Sequence, residues 1–409
     1  MIDPARRDRE GHNGRQNMKS TNLTTIIAAI DVGTNAIRLE MARALPNGTI
    51  ETMHQERDAV RPGERLFSTG IMPTDVVDRL VSTLRRYAAL CRRYKAKVRA
   101  VATSAIREAH NRNDIIRRVR RETGLDVELI SGKEEARLTC LGVLAGRPPQ
   151  ARSLCIDVGG GSTEVATAIG DRPENLWSLA IGAFRLTQMF KVSGVVRPKQ
   201  LKILHEYVEE AVAESIPNGL PGFPLVALGS SGTARAVITF AASEGATHAT
   251  VSQLARAVDE LVRMGPEGRR RRFERGRADI IVAGAVILEA LARRLRLQGI
   301  TAVDRGLRHG VLVDLVRRSQ RQQDHSLADA AVALGRRFYF DRAHAQQVSF
   351  LALSLFDRLA TMHKMPLAIR PIFEVASLLH DIGHAVSYQR HHRHSEYLIR
   401  NADIPGLAD

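Results

Sequence analysis

The sequence predicts an α/β protein in which two similar domains face each other across a cleft and an all-helical segment follows. An apolar strand that ends in Asp-Val-Gly and returns as a second strand occurs at Asp31 and again, a domain length later, at Asp157. Segments with strand and helix periodicity alternate up to about residue 316. From about Asp324 the sequence is helical and rich in histidine, without further strand signals. Internal repetition of this kind indicates a duplicated domain.

The chain length sets the number of domains. A chain of 409 residues is long enough for two or three domains, each with its own core. The predicted divisions are a disordered extension over residues 1–21, two α/β domains over residues 22–147 and 148–322, and a helical domain over residues 323–409. We expect the helical domain to be incomplete at its C-terminal end.

The net charge of +16 and the isoelectric point near 10.5 predict attraction to polyanions of any kind, whether nucleic acid, an acidic membrane or a polyphosphate chain; a solvated, arginine-rich surface is the alternative. Aromatic residues make up 4% of the chain, which argues against stacking platforms for nucleic acid, and no specific nucleic-acid partner is expected. The longest apolar run, Ile280 to Leu288, is too short to span a membrane. Three scattered cysteines and the lack of a secretory signal before the first strand predict a cytoplasmic protein with buried thiols.

The first hairpin follows the strand that begins near Leu23. Asp31 stands where this strand ends, and Gly33, Thr34 and Asn35 form the turn before alternating strand residues resume. A turn of this composition can present backbone N–H groups to phosphate. One such hairpin would be a weak signal, but a second one in the same chain strengthens it.

Two candidate residues lie between the hairpins. Arg107 follows a strand and a polar turn, and taken alone it is typical of a surface arginine. Ser131 and Glu134 have the spacing of a helix capping box, which explains Glu134. Glu135 is not needed for the cap, although an acidic residue in the first turn also complements the helix dipole.

The second hairpin is the stretch IDVGGGSTEV, residues 156–165. Asp157 ends an apolar strand, and Gly159, Gly160 and Gly161 let an anion approach the backbone without obstruction. The spacing of Ser162 and Glu164 then puts both side chains on one face of the returning strand. The pattern differs from a dinucleotide-binding site and from a P-loop, because neither glycine spacing is present.

A third anion-binding turn is predicted where a strand meets a helix in LVALGSSGTARAV. The backbone N–H groups around Ser231, Gly232 and Thr233 would lie at the helix N-terminus, where phosphate binds readily. Taken alone, this pattern is also that of an ordinary strand–helix connection.

The histidine-rich segment contains candidate metal ligands at His344, His380 and Asp381. Adjacent residues on a helix cannot face the same way, so His380 and Asp381 are expected at an irregular or terminal turn, as the nearby Gly383 suggests. A cluster of histidines on a surface loop is the alternative.

Together these segments resemble the exopolyphosphatase and guanosine pentaphosphate phosphatase (Ppx/GppA) family. The motifs DVGTNAIRL, ATSAIREA, ISGKEEARLTCLGV, IDVGGGSTE, ALGSSGT and DRGLRHGVL occur in family order and spacing. The resemblance implies duplicated ribonuclease-H-like domains of the actin, sugar kinase and heat-shock 70 superfamily, followed by an all-α HD-like domain. It also implies a homodimer as an expected assembly.

The resemblance implies roles for individual residues. Glu135 would be the catalytic base, Asp157 and Glu164 would bind Mg²⁺ or another divalent cation, and Arg107 would contact phosphate oxygens. The glycines and Ser162 of the second hairpin would bind phosphate. His344, His380 and Asp381 would bind a second divalent metal in the HD-like domain.

The expected reaction is hydrolysis of the terminal phosphoanhydride bond of inorganic polyphosphate, with Asp31 supporting the metal through water and with Arg38 and the catalytic Arg107 stabilising charge on the transferred group. Removal of the 5′ γ-phosphate of guanosine pentaphosphate is an alternative within the same family. A nucleotide-binding, actin-like protein without phosphatase activity is an alternative from another class, which Glu135 disfavours because a binding protein needs no base there.

Overall fold

A computed structural model describes residues 25–45, 48–148, 150–220, 226–402 and 404, with only the backbone of residues 320–326. The predicted disordered extension over residues 1–21 lies outside these ranges, as do the last five residues of the predicted helical domain.

The described strands and helices alternate through the first three quarters of the chain. The strands are β1 (Thr25–Val32), β2 (Ile37–Ala44), β3 (Ile50–Asp58), β4 (Lys97–Ala102), β5 (Val127–Leu129), β6 (Arg152–Val158), β7 (Thr163–Ile169), β8 (Arg172–Leu179), β9 (Val226–Ser230), β10 (His248–Thr250) and β11 (Gly299–Ala302). The helices are α1 (Leu66–Thr69), α2 (Thr74–Arg93), α3 (Ser104–Glu108), α4 (Arg112–Thr123), α5 (Gly132–Leu144), α6 (Ala183–Phe190), α7 (Pro198–Ser215), α8 (Ser231–Ala241), α9 (Val251–Arg263), α10 (Gly265–Arg272), α11 (Arg275–Ala278), α12 (Ile281–Arg294), α13 (Leu307–Arg337), α14 (Arg342–Arg358), α15 (Ala360–His363), α16 (Ile369–Leu378) and α17 (His391–Arg400), with a 3₁₀ helix at Ile382–Ala385.

Two sheets share one topology. The first has the strand order β3-β2-β1-β4-β5, in which β2 is antiparallel to its neighbours β1 and β3, β4 is parallel to β1, and β5 is parallel to β4. The second repeats this order as β8-β7-β6-β9-β11 and adds β10 at the edge, antiparallel to β11. The repeated topology confirms the predicted duplication of a ribonuclease-H-like α/β domain.

The central strand of each sheet carries an aspartate to the end of the sheet. Strands β1 and β6 are apolar along most of their length and buried, as expected for strands covered on both faces. The edge strand β3 is mostly polar and exposed, which protects the edge of the sheet from pairing with another chain. Asp31 and Asp157 therefore occupy equivalent positions in the two sheets.

Helices α5 and α13 pack between the two sheets. On α5, Leu138 and Leu141 belong to an apolar cluster with β1, while Cys140 and Leu144 belong to another cluster with β6 and β7. Helix α5 thus contacts both sheets, and its first turn points toward the space between them. All three cysteines are buried and unpaired, in agreement with the predicted core positions.

Glycines allow α5 and α13 to touch through their backbones. A Cβ atom at Gly310 would overlap the carbonyl oxygen of Leu138, and one at Gly142 would overlap the carbonyl oxygen of Gly306. Since only glycine lacks a Cβ, this contact requires glycine on both helices.

The described part of the chain after α13 is helical, as predicted. Its core brings Leu334 of α13 together with Val375 and Leu378 of α16. The predicted domain boundary between residues 322 and 323 falls within α13, which runs without a break from the cleft into the helical region. This boundary and the one between residues 147 and 148 stay predictions. None of the described helices is long and apolar enough to cross a membrane.

The contact between α5 and α13 gives a first prediction. Gly310→Ala should destabilise the protein by about 3 kcal/mol or more, because backbone atoms cannot repack around the added methyl group. The free energy of unfolding from denaturant titration measures the effect. Gly194→Ala is the control, since a Cβ there meets no atom within 4 Å. Equal stability of the two variants would contradict the proposed role of the contact.

A candidate active site between the two sheets

A cleft of about 220 Å³ lies between the two α/β domains, where the ends of β1 and β6 meet. It is lined by most of the residues that the sequence singled out, namely Asp31, Gly33, Thr34, Asn35, Arg38, Glu135, Asp157, Gly159, Gly160, Ser162, Ser231, Gly232 and Thr233. Gly161, Glu164 and Arg107 lie close behind this wall rather than in it.

The two glycine turns touch each other across the cleft. A Cβ at Gly160 would stand 3.0 Å from Cβ of Thr34 and 3.3 Å from the backbone nitrogen of Asn35. The Thr34 hydroxyl in turn hydrogen-bonds that of Ser104 over 2.8 Å. The turns of both domains are therefore close enough to bind the same anion from two sides.

The second glycine turn is held by hydrogen bonds at both ends. The backbone nitrogen of Gly159 donates to the carbonyl oxygen of Ser162 over 3.0 Å, which closes the turn. The carbonyl oxygen of Gly160 accepts bonds from the backbone nitrogens of Phe184 and Arg185, each over 2.9 Å. The start of α6 thus fixes the turn, and it leaves little room for the turn to move when an anion binds.

The third predicted turn lies at the start of α8. Ser231 has a φ of 75°, a left-handed conformation that is uncommon for serine. Its hydroxyl donates to the carbonyl oxygen of Val158 and accepts from the backbone nitrogen of Ala234. These bonds tie the turn to the strand that carries Asp157 and hold the strained conformation.

Two adjacent glutamates at the start of α5 have different surroundings. Ser131 caps the helix by accepting a bond from the backbone nitrogen of Glu134 over 3.2 Å, as predicted. The Glu134 carboxylate does not complete the capping box, because both its oxygens bond Arg137 at 2.7 Å. Glu135 is instead buried, 8% exposed, and its side chain lines the cleft.

Arg107 supports Glu135 from behind. Its Nη1 donates to the Ile130 carbonyl oxygen over 2.9 Å and to Glu135 Oε2 over 3.2 Å. The guanidinium is only part-buried, but the partner carboxylate is almost fully enclosed. Arg107 therefore orients Glu135 and favours its charged form.

Four carboxylates from different elements meet at the cleft. Burial raises the pKa of Asp31, and burial with the negative charges of Glu135 and Asp157 raises the pKa of Glu164 well above its usual value. Burial raises the pKa of Asp157 to about 6 despite the bond from the Ser230 hydroxyl. Burial raises the pKa of Glu135 to about 8, with Asp31 and Asp157 adding to the rise and Arg107 opposing it.

The carboxylates suit a hard divalent cation. Oδ1 of Asp31 is buried without a hydrogen-bond partner among the described residues, and Arg38 approaches only the other oxygen, over 3.6 Å. Asp157 and Glu164 face each other as paired residues of β6 and β7. Oxygen ligands of this kind are those that Mg²⁺ prefers, and a positive ion would offset the repulsion among the carboxylates.

Six arginines line the cleft, and most of them were not singled out by sequence analysis. They are Arg38, Arg57, Arg235, Arg277, Arg305 and Arg308. The motif DRGLRHGVL contains Arg305 and Arg308, so a signal for these two existed. Arg57 and Arg277 come from an edge strand and a short helix, where nothing in the local sequence distinguishes them from surface arginines.

Arg277 is suited to binding an anion. Its guanidinium lies against Gly232, where a Cβ would collide with it, and Nη1 approaches the Thr233 hydroxyl over 3.5 Å. It forms no ion pair with a carboxylate in the described part of the chain. Burial and the neighbouring charges of Arg38 and Arg57 lower its pKa to about 10, which leaves it charged at neutral pH. A half-buried cation without a counter-ion among the described residues favours an anionic ligand.

The three metal ligands predicted in the helical region come together away from the cleft. Oδ2 of Asp381 lies 3.4 Å from Nε2 of His344 and 3.1 Å from Nε2 of His380. As predicted, His380 and Asp381 lie in an irregular turn, between the end of α16 and the 3₁₀ helix.

Comparison with known proteins adds to this geometry. The sequence model of the Ppx/GppA phosphatase family matches residues 42–319, and that of Ppx/GppA phosphatase domain III matches residues 328–409. Among solved structures, a Ppx/GppA family member from Aquifex aeolicus is 27% identical with a TM-score of 0.61, covering 72% of this chain and 98% of its own. An exopolyphosphatase from Cytophaga hutchinsonii is 26% identical with a TM-score of 0.61, covering 72% and 98% respectively.

The raised pKa of Glu135 gives a second prediction. In the absence of divalent cations, the folded protein holds protons that the unfolded chain releases above about pH 4.5. The free energy of unfolding should therefore fall as the pH rises from about 4.5 to about 8. Glu135→Gln removes part of this fall and should be more stable than wild type at pH 8.5 by about 1 kcal/mol or more.

Denaturant titrations at pH 5 and pH 8.5 with chelator present measure this difference. Glu134→Gln is the matched control. Because Arg137 lowers the pKa of Glu134, the free energy of unfolding of this variant should fall between pH 5 and pH 8.5 by the same amount as that of the wild type. If the free energy of unfolding of Glu135→Gln fell by the same amount as that of the wild type, the pKa of Glu135 would not be raised.

Proposed function

The chain belongs to the Ppx/GppA phosphatase family, and we propose that it is an exopolyphosphatase that releases orthophosphate from the end of inorganic polyphosphate. The residues that line the cleft are the main support for this proposal. They combine buried carboxylates with six arginines, and none of the described residues in this wall is phenylalanine, tyrosine or tryptophan. A guanine base offers a flat face for aromatic stacking, whereas polyphosphate offers only anionic oxygens, so the wall favours polyphosphate over guanosine pentaphosphate.

The terminal phosphates would bind between the glycine turns. Backbone N–H groups of residues 34–35, 160–162 and 231–233 would bind them, together with the hydroxyls of Thr34 and Ser162. The N–H groups of Gly33 and Gly159 are bonded within their own turns, so these two glycines would contribute close approach rather than a hydrogen bond. Arg38 would neutralise charge on the transferred phosphoryl group. Arg277 and the other arginines would hold the next phosphates of the chain.

Glu135 would act as the general base. It accepts a proton from the attacking water, the water oxygen bonds to the terminal phosphorus, and the bond from phosphorus to the bridging oxygen breaks. The electron pair of that bond goes to the bridging oxygen, and the products are orthophosphate and a chain shorter by one phosphate. Arg107 holds Glu135 in place and favours its ionised form, which is the form that accepts the proton.

Asp157 and Glu164 would hold Mg²⁺ or another divalent cation, with Asp31 supporting it through water. When bound, such an ion neutralises charge on the phosphate oxygens. His344, His380 and Asp381 would hold a second divalent metal. Guanosine pentaphosphate as substrate, a homodimer and a cytoplasmic location stay predictions from the sequence.

A comparison of two substrates and two variants tests the proposal. Wild-type protein should release orthophosphate faster from long-chain polyphosphate than from guanosine pentaphosphate, as measured by phosphate assay with Mg²⁺ present. Glu135→Gln should lose a factor of about 10² to 10⁴ in kcat on polyphosphate, because the amide cannot accept the proton of water.

Glu134→Gln is the matched control. The Glu134 carboxylate bonds Arg137 outside the cleft, so this variant should keep near-wild-type activity. Faster turnover of guanosine pentaphosphate by the wild type would overturn the choice of substrate. Near-wild-type kcat in Glu135→Gln would overturn the assignment of the base.

Arg277 provides a separate prediction about substrate binding. Arg277→Gln should raise KM for polyphosphate by about 10- to 100-fold, the range expected when a charged hydrogen bond is lost. Its kcat should change less, because the contacts of Arg277 are to the turn at Gly232 and Thr233 rather than to Glu135. Arg271→Gln, at an exposed position of α10, is the control, and an unchanged KM in Arg277→Gln would exclude Arg277 from the phosphate site.

A further inference from the structure

Arg185 in α6 connects the second glycine turn with the first α/β domain. We infer that it is a positioning residue, which directs backbone N–H groups of this turn toward bound phosphate and holds the turn against the facing domain. The inference rests on the proposed phosphate site and adds a residue that does not line the cleft. Arg185 acts through the turn, because its own partners are the turn, Glu108 and Phe67.

The carbonyl groups of the turn are bonded to the start of α6. The carbonyl oxygen of Gly159 accepts from the backbone nitrogen of Ala183 over 2.9 Å. The carbonyl oxygen of Gly160 accepts from the backbone nitrogen of Arg185, also over 2.9 Å. The carbonyl oxygen of Gly161 is bonded by a side chain instead, since Nε of Arg185 donates to it over 2.7 Å. The start of α6 thus binds three successive carbonyl groups.

These bonds determine where the N–H groups of the turn point. In a trans peptide unit the C=O of one residue and the N–H of the next point in opposite directions, and none of the described peptide bonds is cis. The N–H groups of Gly160, Gly161 and Ser162 therefore point away from α6. None of the described residues of α6 lines the cleft, whereas Gly160 and Ser162 do, so these N–H groups face the cleft. The Arg185 side chain orients the last of them, the N–H of Ser162.

Gly182 lets α6 begin directly behind the turn. A Cβ at Gly182 would stand 2.5 Å from the carbonyl carbon and the carbonyl oxygen of Gly160, closer than such atoms can approach. Since only glycine lacks a Cβ, the short distance requires glycine at this position. The close approach brings Arg185 within reach of the Gly161 carbonyl.

The other end of the guanidinium reaches the first α/β domain. Nη2 of Arg185 lies 2.6 Å from each carboxylate oxygen of Glu108, the last residue of α3. The Arg185 side chain is 12% exposed, so water competes little for its donors. Glu108 follows Arg107, which orients Glu135. One side chain therefore joins the phosphate turn of the second domain to the helix that supports the proposed base.

Phe67 fixes the plane of the guanidinium. Cζ of Arg185 lies 4.1 Å from the centroid of the Phe67 ring, within the range of a cation–π contact. The ring packs against the apolar cores of both α/β domains, and a Cβ at Gly161 would stand 3.0 Å from it. Arginine suits this position because its flat group holds several donors in fixed directions, whereas the ammonium of lysine does not.

Binding of orthophosphate tests the inference whichever substrate the enzyme prefers, because both candidate reactions release orthophosphate. The dissociation constant is measured by isothermal titration calorimetry with Mg²⁺ present. Arg185→Met keeps the apolar stem and loses the donors, so its dissociation constant should rise about 10- to 100-fold, the range for a lost charged hydrogen bond. The kcat/KM for polyphosphate should fall by a similar factor. Preference of the wild type for guanosine pentaphosphate would overturn the choice of substrate and leave the expected loss of orthophosphate affinity unchanged.

Two variants separate positioning of the turn from loss of a contact between domains. Arg61→Met removes another ion pair between the domains, to Asp279 over 3.4 Å, and Arg61 does not line the cleft. This variant should bind orthophosphate as tightly as the wild type. Glu108→Gln leaves the bond from Arg185 to the Gly161 carbonyl and an acceptor for Nη2 in place, so it should weaken binding less than Arg185→Met does.

Arg185→Lys keeps the test decisive if Arg185→Met does not fold, which circular dichroism and denaturant titration show. The lysine variant keeps the charge but cannot donate to Gly161 and Glu108 from one flat group, so it should still bind orthophosphate more weakly than the wild type. Wild-type affinity in the folded Arg185 variants would overturn the inference. An equal loss of affinity in Arg61→Met would also overturn it, because any weakened contact between the domains would then have the same effect.

Discussion

The backbone contact between α5 and α13 at Gly142 and Gly310 determines the geometry of the cleft. Because the two helices approach without side chains between them, they fit together into the space between the two sheets. The first turn of α5 then directs Glu135 toward Asp31 and Asp157. The start of α13 places Gly306 against the Ser230 hydroxyl, beside Asp157. The positions of these residues from distant parts of the chain thus depend on one helix crossing.

The buried carboxylates that the cleft brings together lower the stability of the folded protein. Asp31, Glu135, Asp157 and Glu164 come from both domains, and burial raises the pKa of each. A cluster of this kind is unfavourable by itself, and the left-handed conformation of Ser231 adds local strain. Shifted carboxylates and strained turns concentrate at functional sites because ligands relieve them. The same residues would therefore be stabilised by the cation and the phosphates proposed to bind there.

Helix α13 connects the cleft to the helical region. It begins at Leu307 beside the cleft and continues to Arg337, a length of about 46 Å for 31 residues. Its last turns pack against α16, which ends just before His380 and Asp381. The phosphate cleft and the turn of His380 and Asp381 thus lie at opposite ends of one continuous helix. The helical region is fixed to the α/β domains through this helix rather than through a linker of irregular structure.

The sequence by itself determined the features that depend on neighbouring residues. The two Asp-Val-Gly hairpins, the Ser131 cap and the irregular turn at His380 follow from local patterns of polarity and glycine placement, and the structure contains each of them. Only the tertiary structure decided which residues meet. Arg277 reaches Gly232 although nothing in its local sequence distinguishes it from a surface arginine. His384 and His391 lie near Asp381, a choice among the histidines of that segment that the local sequence does not make. Such contacts depend on how helices and sheets pack, because the position of a side chain across a cleft is set by backbone contacts elsewhere, here the glycine crossing of α5 and α13.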